Sequence, residues 1–397
     1  MFINKKILIV APHLIFPPGK GADILIDNRI KFLVKNLKTV HLLSYKNHIV
    51  FNEGQKISEN SYNNKQRSLI YASIRALFST RTYLYEKLIT PAYLKQIKKI
   101  VECNEFDIYY YSFIFSAISF NSIDGKTDST IKIIEMHNDD IEWYSNLKNK
   151  SFNPFLRIVA SVSIKSTRNF LLTQGKNYKF IALTQKDAQG YNTYIPEENI
   201  IIIPAGIDTV RIGKKFISKD IEKIKLLFIG SLDVKINYDA LLNFAKNYLP
   251  ALKEKFGDAL KIKIAGRRPT AKVRHLCSKH NWELYPNLTN SDLQELLLES
   301  HFTIMPFEYT TGAKMKLLES LAHGIPILAT NAIKGQIQLE PYSRNYIFSD
   351  SADEWCEFID NHINEGFKNL DHSLFKQISA HYSWDRVNKA LLEIINT

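Results

Sequence analysis

The stretch "PFEYTTGAKMKLLESLAHGIPILAT", residues 306–330, decides how this chain is read. It leaves an apolar run (301–306), crosses a polar loop to Gly312 and enters a helical pattern carrying Lys314, Lys316 and Glu319. Gly324 ends the pattern, and Ile325-Pro326 opens the next apolar run at once. The first amides of a helix lack intrahelical partners, and the macrodipole places partial positive charge there. Lys314 and Lys316 add full charges at the same end, which suits a diphosphate. Glu319 lies three residues beyond Lys316, on nearly the same face. A carboxylate one turn deeper is placed to accept the hydroxyl hydrogens of a ribose. Leu317, Leu318, Leu321 and Ala322 supply the buried face. Diphosphate first and ribose behind it outline a nucleoside diphosphate.

Outward from that stretch, similar apolar runs recur at 6–11, 40–44, 106–111, 131–137, 180–184 and 200–204, then at 225–230, 261–265, 283–285, 301–306, 325–330 and 344–348. Short apolar runs without strict alternation are strands covered on both faces. Their alternation with helical patterns such as 238–256 and 291–299 predicts a doubly wound parallel sheet, twice over. A chain of 397 residues exceeds what one core usually supports. The polar segment 205–223 marks the boundary, giving an N-terminal domain over 1–212 and a C-terminal one over 213–380, with a closing segment at 381–397. Residues 52–68 are the most polar segment and read as a mobile loop of the first domain. Beyond them Ile70, Ile74, Leu77 and Phe78 share one helical face, flanked by Arg67, Arg75 and Arg81. The leading expectation is a core-facing helix with snorkelling arginines; the alternative is a basic amphipathic surface for anionic lipid.

The formal net charge of +12 calls for an anionic partner. No nucleic-acid signature is present, so a membrane surface or a phosphorylated substrate is expected and nucleic acid is not. The three cysteines, Cys103, Cys277 and Cys356, lie far apart without metal spacing, which points to a reducing compartment. The apolar N-terminus is broken by Pro12-His13 and reads as a first buried strand rather than a signal peptide. No run approaches the roughly 18 apolar residues of a spanning helix. A cytoplasmic protein, soluble or peripheral on the inner face of a membrane, is therefore expected. Ligands of open parallel sheets sit at the carboxyl ends of strands. There Gly19-Lys20-Gly21 forms a tight turn before a helix, able to approach an anion, although no third glycine completes a dinucleotide fingerprint. His137 ends another strand, where a substrate would lie. Asp139-Asp140 reads as a solvated helix start rather than a metal pair, so no metal site is expected.

These motifs, in this order, resemble the GT-B glycosyltransferases of the large retaining family 4. The 306–330 stretch resembles that family's donor signature, and the Gly19–Gly21 loop its N-terminal glycine loop. "IIEMHN", "FIALTQKDAQGY" and "IIIIPAGID" resemble its strand-end histidine, its strand followed by Ser/Thr and Asp, and its linker strand. "LLFIGSLDVKINYDAL" resembles the opening of the second domain, and "HYSWDRVNKALLEI" the closing tryptophan helix that crosses back to the first. The resemblance implies two Rossmann-like doubly wound parallel-sheet domains facing a cleft. It implies ribose binding by Glu319, diphosphate binding by Gly312, Ala313, Lys314 and Lys316, and a place for His137 against the transferred sugar. Gly19, Lys20 and Gly21 would form an acceptor or phosphate loop, and Gly230, Ser231 and Lys235 would line the donor site. Thr311 stands where many members carry a glutamate, and Ser231 where many carry an arginine. The implied activity is retaining, metal-independent transfer from a UDP- or GDP-linked sugar to a glycan or lipid-linked acceptor in surface polysaccharide assembly, with no other cofactor. A catalytically silent GT-B-like binding or scaffold subunit is the alternative, prompted by Thr311.

Overall fold

A computed structural model describes residues 2–14, 16, 21–120, 130–207, 222–309, 315–334, 344–367 and 372–396. The chain forms two compact units. The first takes the described residues up to Ala205 and those from Val387 onward; the second takes those between Gly206 and Arg386.

The first unit holds β1 (Ile3–Ala11), β2 (Leu37–Ser44), β3 (Asn47–Asn52), β4 (Gln55–Ser61), β5 (Ile108–Ser112), β6 (Ile131–Met136), β7 (Lys179–Ala182) and β8 (Ile200–Ile202). They form one sheet in the order β4-β3-β2-β1-β5-β6-β7-β8, parallel from β2 to β8. Ile7 to Ala11 of β1 are wholly buried, as a strand covered on both faces must be. The second unit holds β9 (Ile224–Ser231), β10 (Leu260–Arg267), β11 (Glu283–Pro286), β12 (Phe302–Met305), β13 (Ile327–Ala329) and β14 (Tyr346–Phe348). Its sheet is parallel throughout, in the order β11-β10-β9-β12-β13-β14. The strand order reverses between β1 and β5 in one sheet and between β9 and β12 in the other. Those two switch points are where open parallel sheets leave room for ligands.

All twelve apolar runs are strands. Two corrections concern what lies between them. Residues 52–68 are not simply a loop, because β4 pairs antiparallel with β3 across a turn of Glu53 (φ 46°) and Gly54 (φ 82°). Every residue of β4 is exposed, so this edge strand carries no apolar period to reveal it. The helix Leu69–Ser79 does form, capped by Ser68, but it does not turn its apolar face to the core. Ile70 is 73% and Phe78 85% exposed, while Ala72, Ser73 and Ala76 are buried. The small residues permit close packing on the helix Pro154–Gln174. The rotation is held by the carboxylate of buried Glu86, which accepts from Arg67 and Arg75, each at 2.8 Å. Two of the three arginines are thus tied inward instead of snorkelling.

Candidate active site

In the second unit the site forms around the carboxyl end of β9. The described part of residues 306–330 enters the helix Met315–Ala322, whose Leu317, Leu318, Leu321 and Ala322 are buried. Gly324 follows at φ 72°. This burial fixes the opposite face, and Lys316 reaches back to donate from Nζ to the Ile229 carbonyl at 2.6 Å. Lys316 is thereby brought beside Gly230 and Ser231. Gly230 and Gly266 approach so closely that a Cβ on Gly266 would lie 1.7 Å from the Gly230 carbonyl oxygen. Glu319, one turn beyond Lys316, is held above the usual carboxylate range by burial, which the nearby Lys316 charge opposes. Among the described residues its carboxylate has no hydrogen-bond partner. Lys235 lies nearby in sequence but pairs with Asp239 at 2.5 Å, its side chain 72% exposed. Gly312, Ala313 and Lys314 lie outside the described residues, as does Thr311.

The first unit places a second cluster at its own switch point. His13 follows β1, Ser112 ends β5 with Phe113 just after it, and His137 follows β6. Ser112 Oγ lies 2.6 Å from His137 Nε2. Phe113 takes φ 71°, a left-handed conformation rare for an aromatic residue. Its ring lies 4.1 Å from that of His137, and the His13 ring stands edge-on to both, at 4.8 and 5.6 Å. Burial, and then the Arg29 charge, push the His137 imidazole down to about 3, so it is neutral at ordinary pH. Its Nδ1 is buried without a hydrogen-bond partner among the described residues.

Behind it, fully buried Arg29 and Glu135 pair at 3.1 Å. The Tyr110 hydroxyl donates to Glu135 at 2.6 Å. Arg29 also donates to the Ile203 and Pro204 carbonyls at 3.1 and 3.2 Å and to the side chain of Asn388. Gly21 opens the helix Gly21–Asn36 with open space at its Cβ position, so packing does not demand a glycine there. Gly19 and Lys20 lie outside the described residues. Asp139 caps the helix Asp140–Lys150 by accepting from the amides of Ile141 and Glu142. Asp139 and Asp140 are a helix start, as expected, but not a solvated one, since each is only 9% exposed. Burial, then the Asp139 charge, raise Asp140 to about 7. Thr184 caps the helix Gln185–Tyr191 by accepting from the Asp187 amide, and its hydroxyl donates to the Asp187 carboxylate at 2.6 Å. Among the described residues no group of three or more His, Cys, Asp or Glu is placed to hold a metal ion.

Residues 223–364 match the family model described as "Glycosyl transferases group 1". The described residues of this match lie within the second unit. Over the whole length, the chain is similar to the solved structure of Anabaena Alr3699/HepE in complex with UDP and glucose. That likeness has a TM-score of 0.65 and 10% identity, covering 99% of this chain and 100% of the other. It is similar also to WaaG, a glycosyltransferase involved in lipopolysaccharide biosynthesis, with a TM-score of 0.57 and 14% identity over 98% and 99% of the two chains. Among curated proteins it is 19% identical over 403 residues to an uncharacterized 44.6 kDa protein in the cps region of Klebsiella pneumoniae, covering 98% of this chain and 99% of that one. The fold is GT-B.

Within the matched segment, Lys316, Glu319, Gly230 and Ser231 are residues that sequence reasoning named. The first unit held more than His137. Ser112, Phe113, His13 and the Arg29–Glu135 pair carried no motif, because each becomes meaningful only when strands distant in sequence lie side by side. The one available signal was Ser112-Phe113 ending an apolar run, the same position that drew attention to His137.

Proposed function

We propose that this protein is a retaining glycosyltransferase. It moves a sugar from a UDP- or GDP-linked donor to a hydroxyl of a glycan or lipid-linked acceptor in surface polysaccharide assembly. The single observation that carries this reading is the Lys316 ammonium on the β9 carbonyl end with the Glu319 carboxylate one turn behind, which accepts no hydrogen bond from the described residues. A cation first and a carboxylate deeper match a diphosphate followed by a ribose. The group 1 family match over the same residues supports it, as do the UDP and glucose bound by HepE and the cps-region location of the Klebsiella relative.

The chemistry follows from the charges. Breaking the anomeric bond develops negative charge on the leaving diphosphate, and a fixed cation stabilises that charge more in the transition state than in the ground state. Lysine and helix amides supply this charge in a metal-independent reaction. The leaving phosphate accepts the acceptor's proton in a front-side attack that retains configuration. His137 contributes a hydrogen bond to the sugar. A thermal-shift panel of nucleotide sugars tests the reading, since a bound ligand raises the midpoint by mass action. Stabilisation by at least one UDP- or GDP-sugar, followed by measured transfer, is expected. A panel without any shift or turnover rejects it.

The exposed face of the helix Leu69–Ser79 favours a second element, docking on the anionic inner surface of a membrane. Leu69, Ile70, Tyr71, Ile74 and Phe78 are all exposed there, an apolar patch unusual for a monomer surface. No helix among the described residues is long and apolar enough to cross a membrane. Cations come from elsewhere than Arg67 and Arg75. Lys148, Lys165 and Arg168 line a surface cavity of about 400 Å³ on the adjoining helices. Co-sedimentation with phosphatidylcholine vesicles containing phosphatidylglycerol should exceed that with phosphatidylcholine alone and weaken with salt or with Ile70→Ser/Phe78→Ser. Equal, negligible binding to both removes this element.

A further inference from the structure

We infer that Arg267 is the second cation of the diphosphate site, taking one phosphoryl group while Lys316 takes the other. The diphosphate rests on the reading proposed above; the pairing of the two cations rests on the register of β9 and β10.

The two strands pair in parallel without a shift, from Leu260 beside Ile224 to Arg267 beside Ser231. Adjacent strands stand about 4.8 Å apart, and side chains alternate along each. Lys263, Ala265 and Arg267 therefore share one face with Leu227, Ile229 and Ser231. Packing identifies that face. Leu227 and Ala265 are buried with Leu296 and Leu297 of the helix Asn290–Leu298 and with Ile325, and Ile229 packs on the same group. Lys263 Nζ lies 3.3 Å from Glu299, just past the end of that helix. Gln294 of the same helix meets His323, just past the helix Met315–Ala322, at 3.2 Å. Both helices thus lie on the face where Ser231 and Arg267 emerge. A helix that joins parallel strands runs back along them, so the first turn of Met315–Ala322 stands at the carboxyl ends of the strands. Its Lys316 holds the Ile229 carbonyl, two residues before Ser231. Two cationic side chains arise within reach of Ser231, one from the helix and one from the neighbouring strand.

The backbone that presents Arg267 is pinned on both sides. Its carbonyl accepts from the Leu232 amide at 2.8 Å, and the Asn287 amide donates to the Gly266 carbonyl at 2.9 Å. The Arg268 amide donates to Asn287 Oδ1 at 2.8 Å. Arg268 and Asn287 both take left-handed conformations, φ 51° and 54°. Strain of this kind persists only where surrounding contacts over-determine it, and it gathers at functional sites. The turn also separates two adjacent arginines. Arg268 is drawn to Asp233 at 3.0 Å, as Lys235 is drawn to Asp239, while Arg267 stays on the strand face it shares with Ser231. A diphosphate brings two phosphoryl groups, and one ammonium answers one of them. The planar fork of a guanidinium suits the other, with paired N–H donors for its oxygens. Ser231 itself brings no charge, so the neighbouring strand supplies it.

Calorimetric titration of the full chain with UDP, GDP, UMP, GMP and inorganic pyrophosphate tests this. The wild type is expected to bind pyrophosphate and at least one of the two nucleoside diphosphates. Arg267→Ala should weaken both about thirtyfold, the size of one charge-assisted hydrogen bond. The matching monophosphate should weaken less than about threefold, since Lys316 still serves its single phosphoryl group. Arg267→Gln keeps the stem without the charge and should behave as Arg267→Ala does, which separates lost charge from lost packing. Adding Ser231→Arg to Arg267→Ala should recover most of the loss, because the two positions are register partners on one face. Diphosphates bound equally by the wild type and both single variants overturn the inference and leave the sugar-transfer reading standing. An equal loss for monophosphate and diphosphate does the same. Pyrophosphate binding that depends on Arg267, in a chain that binds neither UDP nor GDP, upholds the two-cation site and overturns the nucleotide-sugar reading. Binding of none of the five overturns both.

Discussion

Arg29 with Glu135 in the first unit and Lys316 with Glu319 in the second are both cation and carboxylate beside the ends of parallel strands, yet they are treated oppositely. Arg29 and Glu135 are wholly buried, and Arg29 donates to a carboxylate, two carbonyls and an amide while Glu135 also accepts from Tyr110. Lys316 and Glu319 are part-buried; the lysine holds a backbone carbonyl, and the carboxylate accepts no hydrogen bond from the described residues. A buried charge kept for architecture is saturated, because an unpaired one is costly. A charge kept for a ligand retains capacity to bond. The contrast separates a structural pair from a candidate donor site without reference to motif.

The largest effect should come from breaking the saturated pair. Glu135→Ala leaves Arg29 buried and uncompensated and is expected to cost about 3–5 kcal/mol in denaturant unfolding. A loss under about 1 kcal/mol would contradict the structural assignment. Next, Lys316→Ala and Glu319→Ala should each lower transfer about 100-fold, roughly 2.7 kcal/mol of transition-state stabilisation, while unfolding changes little. Equal damage to folding and activity would erase the contrast between the two pairs.

A smaller, pH-dependent effect is expected at Asp140. Its folded value of about 7 lies above the ordinary aspartate value of 3.8, so the native state binds a proton that the unfolded chain has released. Stability therefore falls as pH rises through that window and levels off above about 7. Asp140→Asn should remove about 2 kcal/mol of the difference between pH 5 and pH 8, chiefly by stabilising the protein at pH 8. Identical pH profiles for variant and wild type would show that Asp140 does not titrate in this way. The smallest effect belongs to Phe78→Ser. At 85% exposure it contributes little to folding, and a change within about 0.5 kcal/mol is expected. A large loss would mean that the apolar face is covered after all.

Much of the fold was legible because a strand covered on both faces must be apolar on both, and that leaves a run visible in one dimension. The helix Met315–Ala322 was legible for a similar reason, with charges at one end of an otherwise apolar segment. The β3–β4 hairpin was not, since β4 is exposed along its whole length and owes its existence to pairing with β3. The face of the helix Leu69–Ser79 was misjudged because amphipathicity names two faces without saying which one the core takes. Small residues and a buried glutamate from the next helix made that choice.

By itself, then, the amino-acid order determined two doubly wound sheets and a helix bearing Lys316 and Glu319, because local periodicity and end charges act over a few residues. Only the tertiary structure decided that Ser112 meets His137 and that Arg29 gathers Glu135, Pro204 and Asn388. Such meetings depend on parallel strands aligning in register and helices closing over them. Nothing in the spacing of residues 25 or 359 positions apart encodes that alignment locally.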